Sequence, residues 1–135
     1  MSLIYGKPAE DWNEENRPEN GLFRAYWAED GEGISLEDTG YGLRYEWYYK
    51  DGLKDGTSRG WYQGGKLKNI KTFKDGQKHG LFTEWYENGK KRVEMTYKDG
   101  EWDGLYTEWD KDGQVVREDI YSKGVLKKML EGERP

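Results

Sequence analysis

Over residues 80–86 the chain alternates: Leu81, Thr83 and Trp85 fall on one side of an extended backbone, and Phe82, Glu84 and Tyr86 on the other. The aromatic and β-branched content of this run predicts a strand. Asn88-Gly89 follows, a pair that favours a two-residue type I′ hairpin turn, in which both central residues have positive φ. Gly64-Gly65 and Asp112-Gly113 occupy the same place in the neighbouring stretches and predict the same turn. A return strand is predicted over residues 90–97. A longer connection, residues 98–104, then leads onward, and its glycines Gly100 and Gly104 suit backbone conformations closed to residues with a Cβ.

The same pattern recurs. Phe73-Lys74-Asp75-Gly76 returns as Tyr97-Lys98-Asp99-Gly100, and Gly80-Leu81-Phe82-Thr83-Glu84-Trp85 returns as Gly104-Leu105-Tyr106-Thr107-Glu108-Trp109, both at an interval of 24 residues. Gly89 returns as Gly113 at the same interval. One interval earlier stand Tyr49-Lys50-Asp51-Gly52, Gly56, Trp61 and Gly65; one interval later stand Tyr121 and Gly124. Three columns are read as the structural skeleton of a repeat: Gly56, Gly80 and Gly104; Trp61, Trp85 and Trp109; and Gly65, Gly89 and Gly113. Two strands per period give eight strands between about residue 43 and residue 130, spanning on the order of 40 Å at the usual strand spacing. The expected fold is all-β: an elongated, single-layer antiparallel meander of tandem β-hairpins with a 24-residue period. Leu81, Thr83 and Trp85 would stack with Leu105, Thr107 and Trp109 into a ladder, with Trp61, Trp85 and Trp109 as its core.

The unit Asp-Gly-x-x-x-Gly-Leu-x-x-Glu-Trp-Tyr-x-x-Gly, clearest at residues 75–89, resembles the MORN repeat in its bacterial variant. Residues 99–113 match with Asp110 in place of Tyr, and residues 51–65 match more loosely, with Thr57 for Leu and Gly60 for Glu. The resemblance covers about residues 42–125. It implies a binding module with no shared catalytic residue, of the antitoxin-like or immunity-like kind described for bacterial proteins with this variant, or else a scaffold or membrane-associated module.

Composition shifts the picture at the N-terminus. Residues 1–41 hold ten acids and three bases, a charge of −7, whereas the remainder holds 19 bases and 17 acids. The acidity belongs to the first third, and the near-neutral repeat region gives no nucleic-acid stripe. Residues 1–41 are therefore expected to form an acidic cap on the first strand, with Gly21-Leu22-Phe23-Arg24-Ala25-Tyr26-Trp27 echoing a repeat strand. Gly42-Leu43-Arg44-Tyr45-Glu46-Trp47-Tyr48 is a closer echo that breaks the register. Residues 42–130 are the array, and residues 131–135 a frayed tail. The chain has no cysteine, so disulfides and thiolate metal sites are excluded. The first residues carry no apolar signal core, which gives a cytoplasmic expectation.

Candidate chemistry is sparse. His79, the only histidine, stands in a turn where the neighbouring repeats have Asp55 and Asp103, and reads as a polar turn residue. Glu84 and Glu108 would lie roughly 10 Å apart on one face, slightly beyond the spacing of an inverting carboxylate pair. They are better read as partners of cross-strand bases such as Lys91 or Arg92. The Asp-Gly turns lack the ligand order of a calcium loop. No catalytic, metal or cofactor site is expected. Trp102 departs from its column, where the other repeats have Lys54 and Lys78. With Asp99, Glu101 and Asp103 around it, Trp102 is the candidate partner-binding residue, placed on a turn outside the ladder. The leading expectation is a non-catalytic protein-binding module, an antitoxin or immunity protein that neutralises a toxin. The alternatives are carbohydrate or cell-wall binding through exposed aromatics, and membrane scaffolding, which the acidic cap disfavours.

Overall fold

The structure, a computed structural model, describes residues 20–35 and 38–132. Its strands are β1 (Gly21–Trp27), β2 (Ile34–Ser35), β3 (Leu43–Lys50), β4 (Leu53–Lys54), β5 (Gly56–Trp61), β6 (Leu67–Lys74), β7 (Gln77–Lys78), β8 (Gly80–Trp85), β9 (Lys91–Lys98), β10 (Glu101–Trp109), β11 (Val115–Ser122) and β12 (Val125–Gly132). They form one open antiparallel sheet in the order β12-β11-β10-β9-β8-β6-β5-β3-β1-β2, with β4 pairing β3 and β7 pairing β6. From residue 43 onward eight strands of six residues or more follow one another as a meander, as the repeat predicts. Of the expected N-terminal cap, residues 1–19 and 36–37 lie outside the described residues, as do residues 133–135 of the expected tail; β12 runs on through Gly132.

The first unit shows why the register breaks near residue 42. β1 pairs β3 with Gly21 opposite Tyr49, as Gly56 stands opposite Phe73, Gly80 opposite Tyr97 and Gly104 opposite Tyr121. β1 is therefore the outgoing strand of a further hairpin. Residues 43–50 are its return strand, not an outgoing one. Gly21 precedes Gly56 by 35 residues, so this unit carries an enlarged hairpin connection. Asn20 completes the likeness: its Oδ1 accepts the Asp51 N–H (3.0 Å), as Asp55 accepts from Asp75 and Asp103 from Lys123.

The two turn types are the reverse of the expectation. The two-residue turns with positive φ at both central positions are Asp51-Gly52, Asp75-Gly76, Asp99-Gly100 and Lys123-Gly124, with the first residue at 50–51° in each. At Asn88-Gly89 and Asp112-Gly113 only the glycine is positive, at 87° for Gly89 and 90° for Gly113. The Tyr86 N–H donates to Lys90 O (2.9 Å) and the Gly89 N–H to Tyr86 O (3.0 Å), closing a three-residue loop, 87–89, with a left-handed last residue. Gly113 repeats this one unit later. The Asp110 N–H donates to Gln114 O (2.9 Å) and the Gly113 N–H to Asp110 O (3.1 Å), so residues 111–113 form the same loop. Gly65 closes the corresponding loop with its N–H on Tyr62 O (3.1 Å), although there Gly64 is positive as well. The glycines of the column Gly65, Gly89 and Gly113 thus each end a three-residue loop, where a two-residue turn was expected. The chain needs the glycine only at the last position, which leaves the residue before it free to be Gly, Asn or Asp.

A Cβ at Gly89 would meet nothing within 4 Å, so the penalty for a side chain is purely conformational. Gly89→Val is expected to cost about 1–2 kcal/mol. Gln77→Val, on an exposed extended residue, is expected to cost close to nothing. Equal urea midpoints for the two variants would refute the turn assignment.

Successive units are fastened to one another along both margins of the sheet. On one margin the Gly76, Gly100 and Gly124 N–H groups donate to the carbonyls of Lys54, Lys78 and Trp102 (2.8, 2.9 and 2.8 Å). On the other, the hydroxyls of Tyr62 and Tyr86 donate to the carbonyls of Trp85 and Trp109 in the next unit (2.6 and 2.8 Å). The next residue in that column is Asp110. Its Oδ1 turns inward and accepts the N–H groups of Asp112 and Gln114 (2.9 and 3.0 Å). The departure from Tyr thus falls at the last of the three-residue loops, where the carboxylate braces the loop that Gly113 completes.

Cross-strand partners share a face of the sheet. The register places Phe82, Glu84, Val93, Met95, Tyr97, Trp102, Tyr106, Arg117, Asp119 and Tyr121 on one face, and Leu81, Thr83, Thr96, Leu105, Thr107 and Ile120 on the other. The buried cluster of Val93, Met95, Tyr106 and Tyr121, with Phe82, Tyr97 and Trp102 packed on it, lies on the Phe82 face. This corrects the expected Leu-Thr-Trp core. On the Leu81 face Thr83 and Thr107 are buried, Trp61, Trp85 and Trp109 are half-buried, and Leu81 and Leu105 are 52% and 48% exposed.

Candidate binding surface

The structure separates the residues grouped around Trp102. Trp102 lies within β10, not on a free turn, and pairs Tyr97. Its ring stacks on Tyr106 (5.4 Å between centroids) and meets Tyr121 edge-on (4.9 Å), and its Nε1–H donates to the Tyr97 hydroxyl (3.1 Å). Trp102 thereby extends the packed cluster. Asp99, Glu101 and Asp103 line a shallow groove whose other walls are Lys98 and Lys123. Those lysines offset much of its negative charge. Asp103 is also engaged, accepting the Lys123 N–H (3.2 Å).

The paired glutamates have separate partners. Glu84 faces Arg92 at 3.6 Å, while Lys91 pairs Glu94 at 2.7 Å. Glu108 accepts the Tyr106 hydroxyl proton (2.7 Å). Burial, reinforced by that carboxylate, pushes the Tyr106 phenol up to about 12. His79 keeps its backbone role, donating its N–H to Thr72 O (2.9 Å), with Nδ1 4.0 Å from Asp99. Among the described residues no cluster of His, Cys, Asp or Glu could hold a metal ion, and no helix is long and apolar enough to cross a membrane.

Two surfaces stand out. On the Leu81 face the column led by Leu81 and Leu105 projects exposed leucines at the repeat spacing, and Leu22 and Tyr48, paired across β1 and β3, are also exposed. On the Phe82 face the packed aromatic cluster does not continue into the hairpin β5–β6. The positions held by Phe82, Val93 and Met95 in the next unit are Ser58, Asn69 and Lys71 in this one. Lys54 and Lys78, column-mates of Trp102, reach over the same region. The Lys54 Nζ lies 4.8 Å from the Trp47 ring centre and 5.2 Å from that of Phe73, the Lys71 Nζ 5.9 Å from Phe73, and the Lys78 Nζ 5.2 Å from Tyr97. The lysine trio was not visible as a site in the strand pattern. Its signal was the replacement of a large apolar column residue by Lys71 opposite a small one, Ser58.

Burial first, then the charges of Lys78 and Lys54, pull the Lys71 ammonium down to about 8 from its ordinary 10.5. Lys54 is lowered for the same two kinds of reason, burial and Lys78. A lysine depressed in the folded state binds fewer protons there than in the unfolded chain. Stability is therefore expected to rise with pH between about 8 and about 10.5. Lys71→Met installs the residue of the neighbouring repeat's Met95 position. It should raise the urea midpoint at pH 7 and flatten that rise. A lower midpoint for Lys71→Met would mean that the ammonium is a net stabilising group.

A family profile described as MORN repeat variant matches residues 54–75, 78–99 and 102–129. No curated protein and no solved structure matches the chain.

Proposed function

From the premise that this chain belongs to the MORN repeat variant family, we propose that it is a non-catalytic protein-binding module whose contact surface is the Leu81 face. The observation that carries this reading is the repeat-spaced display of Leu81 and Leu105 among half-buried tryptophans. Side chains of that kind are left in water at a cost that a partner removes by covering them, and large apolar and aromatic residues anchor interfaces. The groove of Asp99, Glu101 and Asp103, with Lys98 and Lys123 in its walls, would serve such a surface as polar rim and not as its anchor.

The finer reading is that of an antitoxin or immunity protein that neutralises a cytoplasmic toxin. It rests on the resemblance of the repeat to bacterial variants of that kind. The test is affinity capture from the native cytoplasm by the wild type and by a Leu81→Glu/Leu105→Glu variant. Both positions are exposed, so the variant should keep its melting midpoint. A stoichiometric protein retained by the wild type and lost from the variant supports the module. Equal capture by both moves the contact off this face. The toxin reading requires further that the captured protein arrest growth when expressed alone, and that co-expression of this chain relieve the arrest.

A further inference from the structure

The lysine trio is costly where it stands. In the following unit the equivalent lattice is a packed apolar cluster around Val93, Met95 and Tyr106. Here a lysine occupies the Met95 position, and two more ammonium groups lie close enough to repel it electrostatically. Among the described residues none of the three makes an ion pair; the acid acting on Lys71 is Glu84, which already faces Arg92. Local rules of packing are broken chiefly where a function compensates, and three like charges over an apolar floor are relieved by an incoming anion.

The donors and their setting narrow the ligand. They are point-charge ammonium groups, without the guanidinium fork that matches phosphate bidentately. They stand over the rings of Trp47, Phe73 and Tyr97 on an open sheet face. Beside them lie the small polar residues Ser58 and Asn69, with Asn69 Oδ1 3.1 Å from where a Cβ on Gly60 would lie. An open, half-aromatic, cationic floor fits an extended chain carrying carboxylates and apolar groups.

We propose that Lys54, Lys71 and Lys78 form a binding site for an acidic peptide segment of a protein partner, its carboxylates set between the three ammonium groups and its apolar atoms against the Trp47, Phe73 and Tyr97 rings. The site rests on the reading of the chain as a protein-binding module, but it lies on the opposite face from Leu81 and Leu105. It also predicts a proton signature. The charged groups acting on Lys71 are Lys78, Lys54, Glu84 and Lys68. A carboxylate added among them raises the Lys71 affinity for protons, so complex formation near pH 8 takes protons up from the buffer.

The experiment is calorimetric titration of the full chain with a capped peptide of alternating Glu and Leu residues, at pH 8, in two buffers of different ionisation enthalpy. The wild type is expected to bind saturably, with salt-sensitive affinity and proton uptake. Lys71→Met should weaken binding by about tenfold or more and abolish the uptake, and the Lys54→Met/Lys71→Met/Lys78→Met variant should not bind. These variants are expected to be at least as stable as the wild type, so a urea midpoint separates lost binding from lost fold. Lys91→Met, on a lysine already paired with Glu94, should bind as the wild type does. The proposal is overturned if the wild type does not bind the peptide at low salt, or if the triple variant binds it equally. It is also overturned if inorganic phosphate or phosphatidylserine vesicles bind with the same lysine dependence and the peptide does not. Failure here together with intact, Leu81-dependent partner capture would remove this site and leave the proposed function standing.

Discussion

Trp102→Ala is expected to destabilise the protein by about 3 kcal/mol, at the lower end of the range for truncating a packed tryptophan because the ring is only half-buried. Three contacts disappear together: the stack on Tyr106, the edge contact with Tyr121 and the hydrogen bond to the Tyr97 hydroxyl. Tyr106 and Tyr121, both buried, would be left facing a void. The Trp102 carbonyl that receives the Gly124 N–H survives the substitution, so β12 should stay paired and the loss should come from the aromatic cluster alone. A urea titration followed by tyrosine and tryptophan fluorescence reads it. A midpoint within experimental error of the wild type would show that the ring contributes little packing, and would return Trp102 to the exposed surface that its place beside Asp99-Gly100 suggested.

The place of Trp102, in a strand where a free turn was expected, shows what the sequence carries and what it leaves open. A 24-residue period, two strands per period and the all-β meander followed from recurrence of Gly, Trp and the Asp-Gly pair, because each of those residues answers a local backbone or packing demand. Alternation along residues 81–86 separated two faces but could not say which one is covered. That depends on what the return strand and the turn column bring to each side. Val93, Met95 and Tyr97 arrive on the Phe82 face, and Trp102 folds onto it from the start of β10; Leu81 meets Thr96 instead. The turn types were exchanged for a similar reason. Asp112-Gly113 and Asp99-Gly100 are the same dipeptide, and the number of residues between the last paired positions decides the geometry. Lys98 pairs Glu101 directly, whereas Trp109 pairs Val115 as Trp85 pairs Lys91. The lysine trio was not legible because its members come from β4, β6 and β7 and converge only through the register.

Deleting residues 1–41 is expected to have the larger effect, giving a species that self-associates and has a lowered urea midpoint. The cut removes β1 and β2, and with them the backbone hydrogen-bonding partner along one side of β3 from Leu43 to Tyr49, while β4 and β5 stay paired on the other side. It also strips the side chains that cover β3. Phe23 packs on Trp47 at 5.1 Å and edge-on to Tyr49 at 6.3 Å, and both of those rings are buried in the full chain. Glu46, buried, would lose its 2.9 Å ion pair with Arg24 and, among the described residues, keep Arg59 at 3.5 Å. The product is a long edge strand, Leu43–Lys50, with aromatic side chains newly exposed, the kind of edge that recruits another copy. The opposite margin differs, since β12 interleaves Lys127 and Lys128 with its exposed Val125, Leu126, Met129 and Leu130. Sedimentation velocity over a range of concentrations distinguishes the outcomes. A deletion of residues 1–19 alone removes the acids Glu10, Asp11, Glu14, Glu15 and Glu19 but keeps β1. If strand pairing by β1 protects the edge, only the longer deletion should associate. If the shorter one already does so, charge is what keeps the chain apart. A 1–41 deletion that sediments as the full chain does, with an unchanged midpoint, would show that β3 needs neither.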